Sequence, residues 1–262
     1  MKRTAKYVLF AAIAGLTLTS APLGGCAEPR ATPLAQHQAA ANGKRLFYIG
    51  LALYSEPWSE NDVVELSDKL RTVSRFHVVP MIASNVVSAQ NHYPVANDAN
   101  IAAMVRSAAA QARPDDIVFV YISTHGSHQV LARKVGNNAP TALPSRELAH
   151  KLTPLAGHQS VIIISACYSG SLISDLRSPD RIIITAARAD RSSFGCAAGN
   201  RHTFFGAAEL DAFDQRGRSL HQVFAATRDE VAHMEAARQF QPSEPQVSVG
   251  AQVADLYDAP LF

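Results

Sequence analysis

The chain has 262 residues, with 24 Lys plus Arg against 22 Asp plus Glu, a formal net charge of +2 and 47% hydrophobic residues. That length and apolar content suffice for one sizeable core, and a charge so near balance excludes the strongly basic surface that nucleic-acid binding needs. Three cysteines are too few for an exported fold stapled by disulfides.

Lys2, Arg3 and Lys6 precede a largely apolar run over residues 7–18, the charged-then-apolar order of a secretory signal and too short for a membrane span. Leu23-Gly24-Gly25-Cys26 then resembles the lipobox of bacterial lipoproteins. That resemblance implies a signal peptide over 1–25 and a diacylated Cys26 as the first mature residue. Ala27, in place of an aspartate, implies by the same resemblance the periplasm-facing leaflet of an outer membrane. Cleavage removes Lys2, Arg3 and Lys6 and no acid, so the formal +2 becomes −1. Residues 26–44, polar and alanine-rich with Pro29 and Pro33, read as a tether. A single domain is expected over 45–262.

Residues 45–53 are almost continuously apolar, as a strand buried on both faces must be. Ser59-Glu60-Asn61-Asp62 offers capping groups for a helix with Val63, Leu66, Leu70 and Val73 on one face. A second strand is predicted over 76–82, and Pro80 places it near a sheet edge. Asn97 to Asn100 cap a helix with Ile101, Met104, Val105, Ala108 and Ala112 on one side. Residues 116–123 form another uncharged, β-branched run that stops at Thr124-His125-Gly126-Ser127. Gly136-Asn137-Asn138 and Pro140 turn a hairpin over 127–143, and Ser145 caps a helix through Leu152. The apolar run over 160–165 stops at Ala166-Cys167-Tyr168-Ser169-Gly170. A short helix over 170–176, a strand over 181–187 and helices over 204–213 and 219–240 complete the reading. The alternation of strand and helix predicts an α/β sandwich, a mainly parallel sheet with helices on both faces.

In an open parallel sheet, functional groups collect beyond the carboxyl ends of adjacent strands. His125 and Cys167 are both delivered there. A thiol with a pKa near ~8.5 is a weak nucleophile until a neighbour takes its proton, and an imidazole near ~6.5 suits that task. The glycine beside the histidine lets the backbone approach an oxyanion, so Gly126 is the candidate oxyanion-hole donor, with the Cys167 amide as a second.

Thr124-His125-Gly126-Ser127 and Ser165-Ala166-Cys167-Tyr168-Ser169-Gly170-Ser171 resemble the two catalytic motifs of the legumain-type cysteine peptidases, relatives of the caspases and gingipains. The likeness continues through residues 184–196 and weakly through Phe205-Gly206 and residues 242–246. It implies a caspase-like three-layer α/β/α sandwich and peptide-bond hydrolysis through a thioester acyl-enzyme. By this resemblance His125 is the catalytic histidine, Cys167 the nucleophile, Ser192 and Ser193 line the primary specificity pocket, and Cys196 is a packed thiol. Ser165 and Ala207 stand where eukaryotic legumains carry acidic pocket residues, so asparaginyl specificity does not carry over. The family's histidine-orienting asparagine has no clear equivalent after the first strand; Asn61 is a poor candidate.

No cofactor is expected, and no metal: His125 and His128 lie close together, but there is no His-Glu-x-x-His and Cys167 is the only obvious thiolate. A serine hydrolase is disfavoured by the lack of a Gly-x-Ser-x-Gly elbow. His92, His202, His221 and His233 read as surface or helix-packing residues. A cysteine endopeptidase acting on a peptide or protein substrate is therefore the expected function. A degenerate envelope adaptor, or transfer of the acyl group to an amine, remains an alternative.

Overall fold

The computed structural model describes residues 43–88 and 92–262. The signal segment, Cys26 and nearly all of the tether lie outside the described residues.

Six strands form the main sheet: β1 (Arg45–Ala52), β2 (His77–Ser84), β3 (Ile117–Ser123), β7 (Ser160–Ser165), β8 (Arg181–Thr185) and β9 (Gln246–Val249). They lie in the order β2-β1-β3-β7-β8-β9. The first five run parallel and β9 pairs antiparallel with β8. Every residue of β3, β7 and β8 is buried, and apart from Arg181 at the start of β8 these strands carry no charge. Pro80 sits on β2, the edge strand, as its missing N–H requires. β9 escapes the sequence reading because its four residues alternate polar with apolar and are only half-buried.

Helices cover both faces. α1 (Pro57–Val73), α5 (Phe204–Ala212) and α6 (Leu220–Ala236) pack Val63, Leu66, Phe205, Ala208, Val223 and Val231 on Tyr48, Phe119, Tyr121 and Ile163. α2 (Asp98–Gln111), α3 (Ser145–Lys151) and the single-turn α4 (Ile173–Leu176) pack Ile101, Val105, Leu148 and Leu176 on Phe47, Ile49, Val120 and Ile162. Alternate residues of one strand thus feed two separate cores, the three-layer α/β/α sandwich of the caspase-like fold.

Three caps differ from expectation. α1 starts at Pro57, whose fixed φ suits the first helical position, and Ser59 instead donates its hydroxyl to the Ser123 carbonyl at 2.6 Å. Ser145 opens α3 rather than capping it, and its hydroxyl bonds Asp175. α6 ends at Ala236, which frees Phe240 to stack on Phe194 at 4.4 Å. The predicted hairpin is present as β5 (Val130–Arg133) and β6 (Thr141–Pro144), joined antiparallel to the two-residue β4 (Gly126–Ser127) that leaves the histidine.

At the opposite rim, Asp116 anchors the start of β3 to the start of β1. Its carboxylate accepts from the Arg45 amide at 2.7 Å, from Arg45 Nη2 at 2.7 Å and from the Arg113 amide at 2.9 Å, with Arg113 Nη2 at 3.2 Å. Burial alone would raise this carboxyl, but the bonds from Arg113 and Arg45 outweigh it and hold the group well below the usual carboxylate range. A carboxylate depressed in the folded state contributes its full stability above its unfolded pKa of about 3.9, and that contribution declines progressively as pH falls from there through the folded value. Asp116→Ala should lower the unfolding free energy by about 3 kcal/mol at pH 7 because two guanidiniums lose their partner. Urea unfolding at pH 7 and at pH 3 checks this: the gap between mutant and wild type should shrink at the lower pH.

Candidate active site

The last register pair between β3 and β7 is Ser123 with Ser165, and one residue further on the Thr124 amide donates to the Ser165 carbonyl at 3.1 Å. Two residues past that pair stand His125 on one chain and Cys167 on the other. Contact continues beyond the sheet: a Cβ on Gly126 would overlap the Cys167 carbonyl oxygen and crowd Ala166. Only glycine permits this approach, so the two motifs share one rim with their backbones touching.

Cys167 ends β7 at a sharp turn. Tyr168 follows with φ of 55°, a left-handed conformation rare for a bulky residue, and its amide donates to the Arg191 carbonyl at 2.7 Å. Ser171 closes the turn by donating its hydroxyl to the Tyr168 carbonyl at 2.6 Å. The bond to Arg191 draws the segment after β8 across the thiol. Ser193 then meets the Cys167 Sγ with its amide at 3.3 Å, its carbonyl at 3.3 Å and its hydroxyl at 3.7 Å. A neutral thiol can donate to the carbonyl, whereas a thiolate can accept from the amide and hydroxyl.

Both cysteines are free. Cys196 is the thiol packed nearby, close enough for an S–H bond to the Cys167 sulfur to bear on its charge. That bond comes first among the causes that hold the Cys167 thiol down to about 6, ahead of burial, which opposes it, and the further bonds from Ser193 and Ser192. Cys196, as the donor of the pair, is pushed up by the same bond and by burial.

His125 is about one-third exposed, with its ring edge-on to Tyr54 at 4.4 Å and to Trp58 at 5.1 Å, two rings that stack on each other. Burial lowers its pKa, the Glu56 carboxylate raises it and the Lys134 ammonium lowers it. Its Nε2 lies 3.9 Å from Glu56 Oε2. Asn61 takes no part: its side-chain amide donates to the Arg201 carbonyl at 2.9 Å. His202 is not a surface group, since its Nδ1 lies 3.0 Å from Asp62 Oδ1 and its Nε2 3.2 Å from Glu65 Oε2. Asp62 is fully buried and also accepts from Ser123 Oγ at 2.9 Å and from Thr203 Oγ1 at 2.8 Å. Ser165 Oγ lies 3.0 Å from the same Thr203 hydroxyl. His128 is exposed. Among the described residues no group of three or more His, Cys, Asp or Glu side chains is placed to hold a metal ion, and no helix is long and apolar enough to cross a membrane.

The profile of the peptidase C13 family matches residues 78–255, more than half of the chain and both motif segments. The chain belongs to that family. It is therefore a cysteine peptidase of the legumain type. Caspase-1 from Spodoptera frugiperda is a structural neighbour, with a TM-score of 0.53 and 18% identity over 79% of this chain and 86% of that one, a likeness that shows the fold. No curated protein matches the chain.

Sequence reasoning brought out His125, Gly126, Cys167, Ser192 and Ser193, and all five fall at this rim. It missed Glu56, Asp62 and the bond from Cys196. The first two lie ahead of the family match, on the loop and helix after β1, where nothing in their spacing marks them. Cys196→Ala should raise the Cys167 pKa above about 6, since it removes the first-named cause of the depression. The pH dependence of iodoacetamide labelling at Cys167 measures this: the rate should keep a high plateau down to near pH 6 in the wild type and lose it at higher pH in the mutant.

Proposed function

We propose that this C13 peptidase is an endopeptidase working through a Cys167–His125 dyad. The observation that carries the reading is the Cys167 sulfur, ringed by the Ser193 amide and hydroxyl and by the Cys196 thiol, at the rim where His125 also emerges. The Cys167 thiol is held down to about 6 and burial lowers His125 from its ordinary value, so neither group holds the proton tightly, the condition for efficient transfer. His125 takes the thiol proton as the sulfur attacks the substrate carbonyl carbon. The carbonyl π-bond opens to an oxyanion, which the amides of Gly126 and Cys167 receive. Collapse of this intermediate breaks the C–N bond, His125 gives its proton to the departing amine, and a thioester remains. Water, deprotonated by His125, then cleaves the thioester and restores the thiol.

Ser192 and Ser193 lie beside the sulfur and form one wall of the primary pocket. The position that would bring an acidic pocket group next to the nucleophile holds Ser165, which is buried and engaged with Thr203, so asparagine is not the favoured residue at the cleavage site. The chain is read as a lipoprotein of a bacterial envelope: a signal over 1–25, an acylated Cys26, a tether to residue 44 and the peptidase domain over 45–262 facing the periplasm. The apolar run behind Lys2, Arg3 and Lys6 and the lipobox-like Leu23-Gly24-Gly25-Cys26 support this.

Cys167→Ala should reduce cleavage of a peptide library by at least ~10³-fold while leaving the circular dichroism and melting temperature close to wild type. Turnover by that mutant would remove the nucleophile assignment. Cys26→Ala should move the chain from the membrane to the soluble fraction of fractionated cells, and unchanged partitioning would reject the lipid anchor.

A further inference from the structure

Glu56 ends the loop between β1 and α1, two residues from each of the aromatic rings that hold His125. Its own side chain does not cap the helix it precedes. Oε1 lies 3.7 Å from the Lys134 ammonium, which brackets the carboxylate from the hairpin side, and Lys134 Nζ itself sits 5.4 Å from the Tyr54 ring centroid. Oε2 is buried and has no hydrogen-bond partner. A shielded carboxylate oxygen left unbonded is costly and is expected to have a use. The protonatable group facing it is His125 Nε2 at 3.9 Å, longer than a hydrogen bond and within ion-pair range. Glu56 also sits close enough to Cys196 for its charge to push that thiol up, so carboxylate, imidazole and both thiols form one cluster.

We infer that Glu56 is the positioning residue of His125: its Oε2 takes the Nε2–H of the imidazole, fixing the tautomer that leaves Nδ1 as the proton-accepting nitrogen. This rests on the dyad reading above and supplies the orienting group that Asn61 does not. Catalytic hydrogen bonds are often long before substrate binds, and a small rotation of either side chain closes the remaining distance. Tyr54 and Trp58 pack nearly perpendicular to the ring, and a partner at Nε2 adds the directional bond that sets its orientation. A carboxylate there also stabilises the imidazolium formed when the sulfur attacks, as its raising effect on His125 indicates. The groups facing His125 are then Glu56, Lys134, Tyr54 and Trp58, with Cys167 and Cys196 across the rim.

The test compares the full chain with Glu56→Gln and Glu56→Asp by two readouts. In the first, the His125 imidazole is followed by ¹⁵N NMR against pH, its signal identified by its loss in His125→Gln. Wild type should show the Nε2–H tautomer, and Glu56→Gln should titrate at lower pH, because the group that raises His125 is gone. In the second, kcat for a cleaved peptide should fall by ~10-fold to ~100-fold in Glu56→Gln with KM little changed, and recover in part in Glu56→Asp. An unchanged His125 titration and tautomer in Glu56→Gln would overturn the inference, whatever the stability of the mutant. Wild-type protein that cleaves no peptide, while the titration moves as stated, would defeat the hydrolase reading and leave the positioning role standing.

Discussion

Asp62 comes off the inner face of α1 fully shielded from water and accepts bonds from the end of β3, through Ser123, and from the start of α5, through the Thr203 amide and hydroxyl. The Thr203 hydroxyl in turn meets Ser165 at the end of β7 and caps α5 by accepting the Gly206 amide at 2.8 Å. One carboxylate therefore ties together the two strand ends that deliver His125 and Cys167 and the helix that backs them. Burial pushes its pKa up, and bonds from His202, Thr203 and Ser123 pull it back, so the group is tolerable only while every donor stays in place. Gly206 is small for the same reason: a Cβ there would overlap the Asp62 carboxylate.

Above this buried network the chemistry is carried by close backbone approaches. Gly126 lies on the Cys167 carbonyl, Tyr168 is turned into a left-handed conformation to reach Arg191, and the Ser192–Ser193 segment is thereby laid over the sulfur. Each step places a polar group beside the sulfur, so a thiolate there is favoured by fixed dipoles and a neighbouring thiol.

The fold was legible because the sheet is buried on both faces. Uninterrupted Ile, Val and Phe runs mark β1, β3, β7 and β8 without ambiguity, and the abrupt stop of two of them at His-Gly and Ala-Cys marks the rim. β9 was not legible, because an antiparallel edge strand of Gln-Val-Ser-Val carries no such run. Ser59 and Ser145 had cap-like spacing, yet tertiary partners in Ser123 and Asp175 claimed their hydroxyls. Glu56 carried no signal and Asp62 only that of a helix cap: a carboxylate after a strand or on a helix looks like a solvated or capping charge until the packing shows what it faces. His202 is the helix-packing kind of histidine that its sequence context left open beside a surface one, and its partners come from a helix far back in the chain.

The pairing of Val118 with Ser160 joins two strands separated by the whole hairpin and α3. Such distant pairing costs chain entropy before it is rewarded, which disfavours it in a chain whose ends have not yet met. Thiol and imidazole are thus strangers until the centre of the sheet has closed, and a newly made or partly unravelled molecule carries its sulfur as an ordinary, sluggish thiol. Topology in this way keeps the two motifs apart in every form of the protein except the finished one.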